Sequence, residues 1–185
     1  MLNQRVFYIY IGLLLFYRFA ESWAMRKTGS AGHRPNFEKT MLLIMVPYFL
    51  VILLPPVEAS LFDRCPSIIW MAAGGVLIVL AALVRVRAHL DIGASFSMAV
   101  EQPPAGTLSR QGLYSVIRHP LYLGNALLFL GCPVFMASRF SWIAAALGLA
   151  GIILRIELEE EYLMDHVDGY REYRRETYKI IPSIY

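Results

Sequence analysis

The chain has 185 residues, 57% of them hydrophobic and 17% charged, with a mean hydropathy of +0.51, where an ordinary soluble domain has roughly 45–50% and 25%. That is the composition of a membrane protein, and since five spans of about 20 residues take roughly 100 and leave about 85 for connections, no separate soluble domain fits. A Rossmann-type nucleotide domain, built from βαβ units of about 30 residues, is excluded. The net charge of +3 points to no particular partner, and Cys65 and Cys132 lack the CxxC spacing of a disulfide framework or zinc site.

The fold class that follows is all-α, a single polytopic domain over 1–185 with five transmembrane helices, at about 6–20, 41–62, 68–90, 121–137 and 140–156. The first run lies between Arg5 and Arg18 and carries Phe7, Tyr8, Tyr10, Phe16 and Tyr17, aromatics that suit a span better than a signal-peptide core. In the second, Pro47, Pro55 and Pro56 predict a kinked helix or one ending near Leu54, with Glu58 at an interface. Gly74, Gly75, Ala81 and Ala82 of the third permit close helix contact; the run turns basic at Arg85, Arg87 and His89. Only Ser138 and Arg139 separate the last two spans, which therefore form a tight antiparallel hairpin. Ala144 and Gly148 make a small-xxx-small pair that serves either self-association or packing against the fourth span.

Positive charge orients this array. One side holds Arg5, Arg64 and Arg139, and the other 14 of the 17 basic residues lie in or beside the remaining loops and the tail. The N-terminus is therefore expected outside and the C-terminus in the cytoplasm, in the inner membrane of a prokaryotic cell or the endoplasmic reticulum of a eukaryotic one. Loop 91–120 and tail 157–185 then share the cytoplasmic face, where function is sought. The tail from Gly169 onward, with Tyr170, Tyr173 and Tyr178, reads as a short amphipathic segment at the membrane surface that can also cover a pocket.

Two cytoplasmic segments stand out. In Gly112-Leu113-Tyr114-Ser115-Val116-Ile117-Arg118-His119-Pro120-Leu121-Tyr122-Leu123-Gly124, a basic pair precedes a proline suited to the first turn of a helix. The proline holds His119 extended and leaves the first-turn amides open to a carboxylate. The plain alternative is that Arg118 and His119 are snorkelling interfacial cations. In Arg155-Ile156-Glu157-Leu158-Glu159-Glu160-Glu161, Arg155 and Glu159 share one helical face, continued by Tyr162 and His166. Carboxylates crowded at a membrane end are costly unless partnered and tend to mark function; the alternative is a solvated acidic face. Signatures for hydrolysis, phosphoryl transfer and zinc chemistry are missing.

GLYSVIRHPLYLG followed by about 30 apolar residues and RIELEEEYL resembles the isoprenylcysteine carboxyl methyltransferase family of integral membrane methyltransferases, with the phospholipid methyltransferases similar in the same stretch. The likeness covers Ser95 to Tyr185 well, and Arg34-Pro35-Asn36-Phe37-Glu38-Lys39 resembles a stretch in short prokaryotic relatives. It implies that His119, Pro120, Leu121 and Tyr122, with Tyr114 upstream, line a pocket for S-adenosyl-L-methionine built from the cytoplasmic loop and C-terminal helix. Ala99, Gly106, Thr107, Leu108 and Ser109 would be loop contacts, Glu159 and Glu160 cofactor contacts, and Arg155 the holder of the substrate carboxylate; the resemblance makes Arg155 and Glu159 the expected catalytic pair. Gly106, Ser109 and Phe96 stand where many relatives have His, Val and Trp.

The implied partners are membrane lipids and a lipid-soluble small molecule or lipidated cysteine entering from the bilayer, with no metal and no nucleic acid. Three other readings stay open: a phospholipid amine N-methyltransferase, in which Glu159 or Glu160 acts as base; an NADPH-dependent membrane reductase using Arg110 and Arg118; and a non-catalytic scaffold tied by His119, Arg155 and Glu159.

Overall fold

The computed structural model describes residues 4–28, 39–62, 65–92 and 108–182. Its elements are α1 (Gln4–Lys27), a 3-10 turn (Lys39–Met41), α2 (Leu42–Leu61), α3 (Ile68–Ile92), a second 3-10 turn (Gly112–Ser115), α4 (Pro120–Phe135), α5 (Ser141–His166) and α6 (Tyr170–Glu176). Among the described residues the only β pairing is an isolated parallel bridge between Ile117 and Tyr178. The expected runs are all helices, but α1 and α5 extend well past the apolar stretches that announced them. α1 continues because its buried stripe, Val6, Tyr10, Leu14, Tyr17, Glu21 and Ala24, keeps the helical period beyond residue 20. α5 continues to His166, where Val167 turns extended (φ −121°, ψ 115°), and Gly169, with φ of 76°, then opens α6.

The expectation that the second helix stops near Leu54 is corrected: α2 runs unbroken through Pro47, Pro55 and Pro56. A proline inside a helix leaves the carbonyl four residues earlier without its donor, here Leu43, Val51 and Ile52. The Ile52 carbonyl is satisfied from outside the helix by the Tyr10 hydroxyl, at 3.0 Å. The Leu43 carbonyl lies against Gly151 of α5, where any side chain would collide. A tertiary neighbour thus replaces the bond that Pro56 removes.

α2, α3 and α5 are each long and apolar enough to cross a membrane. α4, at 16 residues, is about 24 Å long, and α1 carries Arg18 and Glu21 in its second half. α4 and α1 both pack along α3, while α5 packs on α2 and α4. Small residues set these approaches: Gly74 lies on the Phe135 backbone and Gly148 under the Phe129 ring. The small-xxx-small face of α5 is thus used within the chain, against α4. Phe16, Phe19, Leu53, Val57, Val76, Leu80, Ile143 and Leu147 point outward and form an apolar surface suited to lipid.

The two ends of the bundle differ in chemistry. At one end the buried Glu58 of α2 accepts from the backbone N–H groups of Arg139 (2.5 Å), Phe140 (3.1 Å) and Ser141 (3.2 Å) and from the Ser141 hydroxyl (3.2 Å). It places a carboxylate on the otherwise unsatisfied amides at the start of α5. At the other end, the C-termini of α1, α3 and α5 and the N-termini of α2 and α4 come together.

Candidate functional site

The segment leading into α4 is held by the end of α3. The Ser109 hydroxyl donates to the Asp91 carbonyl (3.0 Å) and the Leu113 N–H to the Asp91 carboxylate (2.8 Å). Gly112, with φ of 57°, presses on that same carboxylate where a Cβ would collide; the turn needs glycine both for its left-handed backbone and for this approach. The turn buries Tyr114, whose phenol is pushed well above its ordinary value by burial, with the Glu159 charge adding to the effect. It therefore stays protonated.

Residues 116–119 then run alongside 177–179. The amides of Arg118 and His119 donate to the carbonyls of Tyr178 (2.8 Å) and Lys179 (3.1 Å), and the Tyr178 amide to Val116 (3.0 Å). The Tyr173 hydroxyl of α6 adds a bond to the Tyr114 carbonyl (2.7 Å), so the tail docks on the loop and does not lie apart from it. Arg118 and His119 are buried, 8% and 5% exposed, which removes them from the snorkelling alternative. Both reach one carboxylate oxygen of Glu160, Arg118 Nε at 2.7 Å and His119 Nε2 at 3.2 Å. Arg174 Nε lies 3.5 Å from the other oxygen, and Arg118 also donates to the Thr177 and Arg174 carbonyls of the tail. Glu160, 1% exposed, is the hub that binds loop, α5 and tail.

Pro120 occupies the first turn of α4 and holds His119 (φ −123°, ψ 57°) out of the helical region. The helix geometry leaves the Leu121 and Tyr122 amides with no intrahelical acceptor. One turn in, the Tyr122 hydroxyl donates to Glu159 Oε2 (2.9 Å) and accepts from Arg155 Nε (3.0 Å). Arg155 also donates to the Thr40 hydroxyl (2.7 Å). Arg155 belongs to the buried stripe of α5 that begins with Ser141, Ala144, Ala145, Gly148, Gly151 and Ile152; it is 4% exposed and lies at the boundary between the apolar helix and the charged end. Glu159, one turn further on, is half-buried. A cation, a phenol and a carboxylate thus form a continuous hydrogen-bonded chain from α5 to α4 and back.

Of the residues singled out from sequence, Tyr114, His119, Pro120, Leu121, Tyr122, Arg155, Glu159 and Glu160 gather at this end of the bundle. Ser109 is anchored to α3 as described, and Leu108 is half-buried beside it. Ala99, Gly106 and Thr107 lie outside the described residues. Tyr162 and His166 stack on each other at 4.0 Å, away from this chain of bonds. No group of three or more His, Cys, Asp or Glu side chains able to hold a metal occurs among the described residues.

Sequence reasoning missed Thr40, Asp91, Asn125, Thr177 and above all Glu21. The last two had separate reasons: Thr177 is ordinary in a polar tail, but Glu21 falls on the buried stripe of α1, and an acid on an apolar stripe is itself a signal.

Comparison with known proteins adds to this geometry. Residues 74–165 match the family model described as the isoprenylcysteine carboxyl methyltransferase (ICMT) family, a stretch running from mid-α3 to the end of α5. The chain is 27% identical over 133 residues to a protein-S-isoprenylcysteine O-methyltransferase of Xenopus laevis, covering 69% of this chain and 46% of that protein. It is 24% identical over 194 residues to one from Dictyostelium discoideum, covering 98% and 79%. A methanethiol S-methyltransferase of Bradyrhizobium diazoefficiens is 38% identical over 71 residues, 38% of this chain and 24% of that protein. The chain thus spans about half the length of the Xenopus relative. With the matched stretch carrying the buried Arg155, the Tyr122 bridge and the Glu160 hub, the chain belongs to the isoprenylcysteine carboxyl methyltransferase family.

Proposed function

We propose that this protein is an S-adenosyl-L-methionine-dependent membrane methyltransferase acting on a lipophilic acceptor, with the carboxylate of an isoprenylcysteine-like molecule as the leading substrate. The observation that carries the reading is the single Tyr122 hydroxyl bonded to both Arg155 and Glu159 at the first turn of α4. In this reading Arg155 takes an anion and Glu159 a cation, side by side at the edge of an apolar bundle.

The donor set suits the cofactor. An amino-acid carboxylate finds the first-turn amides of α4 and the positive helix end, and an amino or hydroxyl group finds the half-buried Glu159. Protonated Tyr114 and the His119 and Tyr122 rings, 5.7 Å apart, supply apolar and hydrogen-bonding surface around them. Loop residues Ala99, Gly106, Thr107, Leu108 and Ser109 belong to the same assignment. Glu160, already shared by Arg118, His119 and Arg174, acts in this reading by positioning His119. When bound, the cofactor supplies an electrophilic methyl group on a sulfonium.

The chain supplies alignment and exclusion of water, which is most of what this chemistry needs. A substrate carboxylate is already ionised and requires no general base. Arg155 orients it through a two-pronged hydrogen-bond pair, and Tyr122 and Thr40 fix the guanidinium in turn. Because the nucleophile's negative charge falls as it reacts, an arginine that bound it too tightly would slow transfer; sharing Arg155 with Tyr122 and Thr40 moderates the grip. The acyl or prenyl part of the substrate lies among the apolar helices. We read α1 and α4 as crossing the bilayer with α2, α3 and α5, the N-terminus outside and the site in the cytoplasm, consistent with the basic residues beside it.

The Bradyrhizobium relative favours one second reading, a thiol as methyl acceptor. Calorimetric titration of the detergent-purified chain with S-adenosylmethionine, its demethylated product and NADPH tests the cofactor, with Glu159→Ala and His119→Ala as controls. Saturable binding of the first two, lost in the variants, is expected; binding of NADPH alone, or of none, would overturn the assignment. Methyl transfer to a farnesylated cysteine analogue is expected, and transfer to methanethiol alone would select the second reading.

A further inference from the structure

We propose that Arg85, held by Glu21, is a positioning residue for the first two turns of α4, clamping from the α3 side the segment that Glu160 clamps from the α5 side. Its consequence for cofactor binding rests on the methyltransferase reading; its geometry does not.

Arg85 sits near the end of α3 with its side chain 14% exposed. Its Nε donates to Glu21 Oε1 at 2.6 Å, and a second guanidinium nitrogen pairs with the same carboxylate. The third divides between two acceptors on α4, the Leu121 carbonyl at 3.1 Å and Asn125 Oδ1 at 2.7 Å. One planar group therefore ties α1, α3 and α4 together. His89, fully buried, lies 3.7 Å from the same Glu21 oxygen, and Arg18 pairs with the other. Gly124 completes the fit, since a Cβ there would collide with the Arg85 side chain.

The clamped carbonyl belongs to Leu121, between Pro120 and Tyr122. This is the weakest part of any helix: the first-turn amides have no intrahelical partner and Pro120 has no N–H at all. Leu123 N–H to the His119 carbonyl, at 3.1 Å, is the bond that closes the turn. Rotating this turn about the α4 axis would swing Tyr122 away from Arg155 and Glu159 on the opposite side. A guanidinium bonded to both Leu121 and Asn125, one helical turn apart, opposes that rotation. Packing alone does not require it, because an apolar pair of similar volume would fill the same space at equal or better stability. Ionisable groups at this depth are costly, so the pair is explained by the geometry it imposes.

The experiment removes the charges together. The full chain carrying Glu21→Leu with Arg85→Met, and separately Arg85→Lys, is purified in detergent and compared with wild type in thermal unfolding, amide hydrogen exchange and S-adenosylmethionine affinity. Both variants are expected to unfold within a few degrees of wild type, to exchange amides 123–126 about tenfold faster with α5 unchanged, and to bind the cofactor about tenfold more weakly. Lysine keeps the charge beside Glu21 but does not span both helices, so it decides the matter even if the double variant fails to fold. Wild-type exchange in the first turns of α4 in Arg85→Lys would overturn the proposal, as would exchange that rises equally throughout the bundle. If wild-type protein binds no cofactor, the methyltransferase reading fails on its own, and the exchange comparison still judges the clamp.

Discussion

At the scale of single residues, the site is a contest between charges that are held and charges that must stay available. Glu160 is held: two guanidinium groups and the His119 ring converge on a carboxylate that is almost wholly buried. Glu160→Gln leaves Arg118 buried without its counter-charge, and breaking such a pair costs roughly 3–5 kcal/mol. A drop in unfolding temperature, accompanied by easier proteolysis of the tail, is the expected result; unchanged stability would show that the Thr177 and Arg174 carbonyls suffice for Arg118. Arg155 is bonded to Tyr122 and Thr40, and the proposed function adds a substrate carboxylate to those partners. Arg155→Lys keeps the charge but loses the planar fork, so kcat/KM is expected to fall about 10–100-fold, the equivalent of one charge-assisted bond pair, while cofactor affinity stays near wild type. Wild-type turnover would remove Arg155 from its role.

At the scale of elements, side chains from neighbouring segments complete α2 and hold α6. The Ile52 carbonyl that Pro56 leaves without a donor is supplied by Tyr10, so Tyr10→Phe leaves a buried acceptor unsatisfied and is expected to cost about 1–3 kcal/mol, read as a lower unfolding temperature. α6 is tied on through Tyr173, whose phenol is pushed up to about 12 by burial, partly opposed by Arg118 and Arg110. The folded state thus favours the un-ionised phenol. Docking of α6 contributes its full stability below the ordinary phenol value of about 10 and loses it as pH rises from there to about 12. Cleavage near Arg171 and Arg175 by a protease active in alkali is expected to accelerate across that window, and in Tyr173→Phe the added acceleration should vanish.

At the scale of the whole molecule, the up-and-down chain sorts chemistry to opposite ends. Glu58 closes one end through the amides before α5, and the Arg155, Glu160 and Arg85 networks occupy the other. Cys65 lies exposed between α2 and α3, on the Glu58 end, and Cys132 is buried. If the site faces the cytoplasm, a membrane-impermeant maleimide applied to intact cells is expected to label Cys65 and to leave Cys132 untouched. Labelling of Cys65 only after permeabilisation would invert the orientation.

Much of this was legible in the chain itself. Apolar runs long enough for a membrane, the order of the five long helices and the pairing of an RHPxY segment with an RxxxEE segment are local properties, set by hydropathy, helical period and the restraint proline imposes on its neighbour. The shared face of Arg155 and Glu159 is likewise fixed by a spacing of four. What no local rule contains is who meets whom: that Tyr10 completes α2, that Glu160 gathers Arg118 and His119 from the loop and Arg174 from the tail, and that Glu21 and Arg85 grip α4. Such contacts join residues up to 64 positions apart and arise only when packed helices desolvate charges together, for a buried charge needs a partner wherever the fold brings one. The same physics explains why α2 passes its prolines and why the tail docks on the loop. Sequence determined the helices and the chemical kinds at their ends; tertiary structure decided which of those charges meet, because only packing brings distant segments into hydrogen-bond reach.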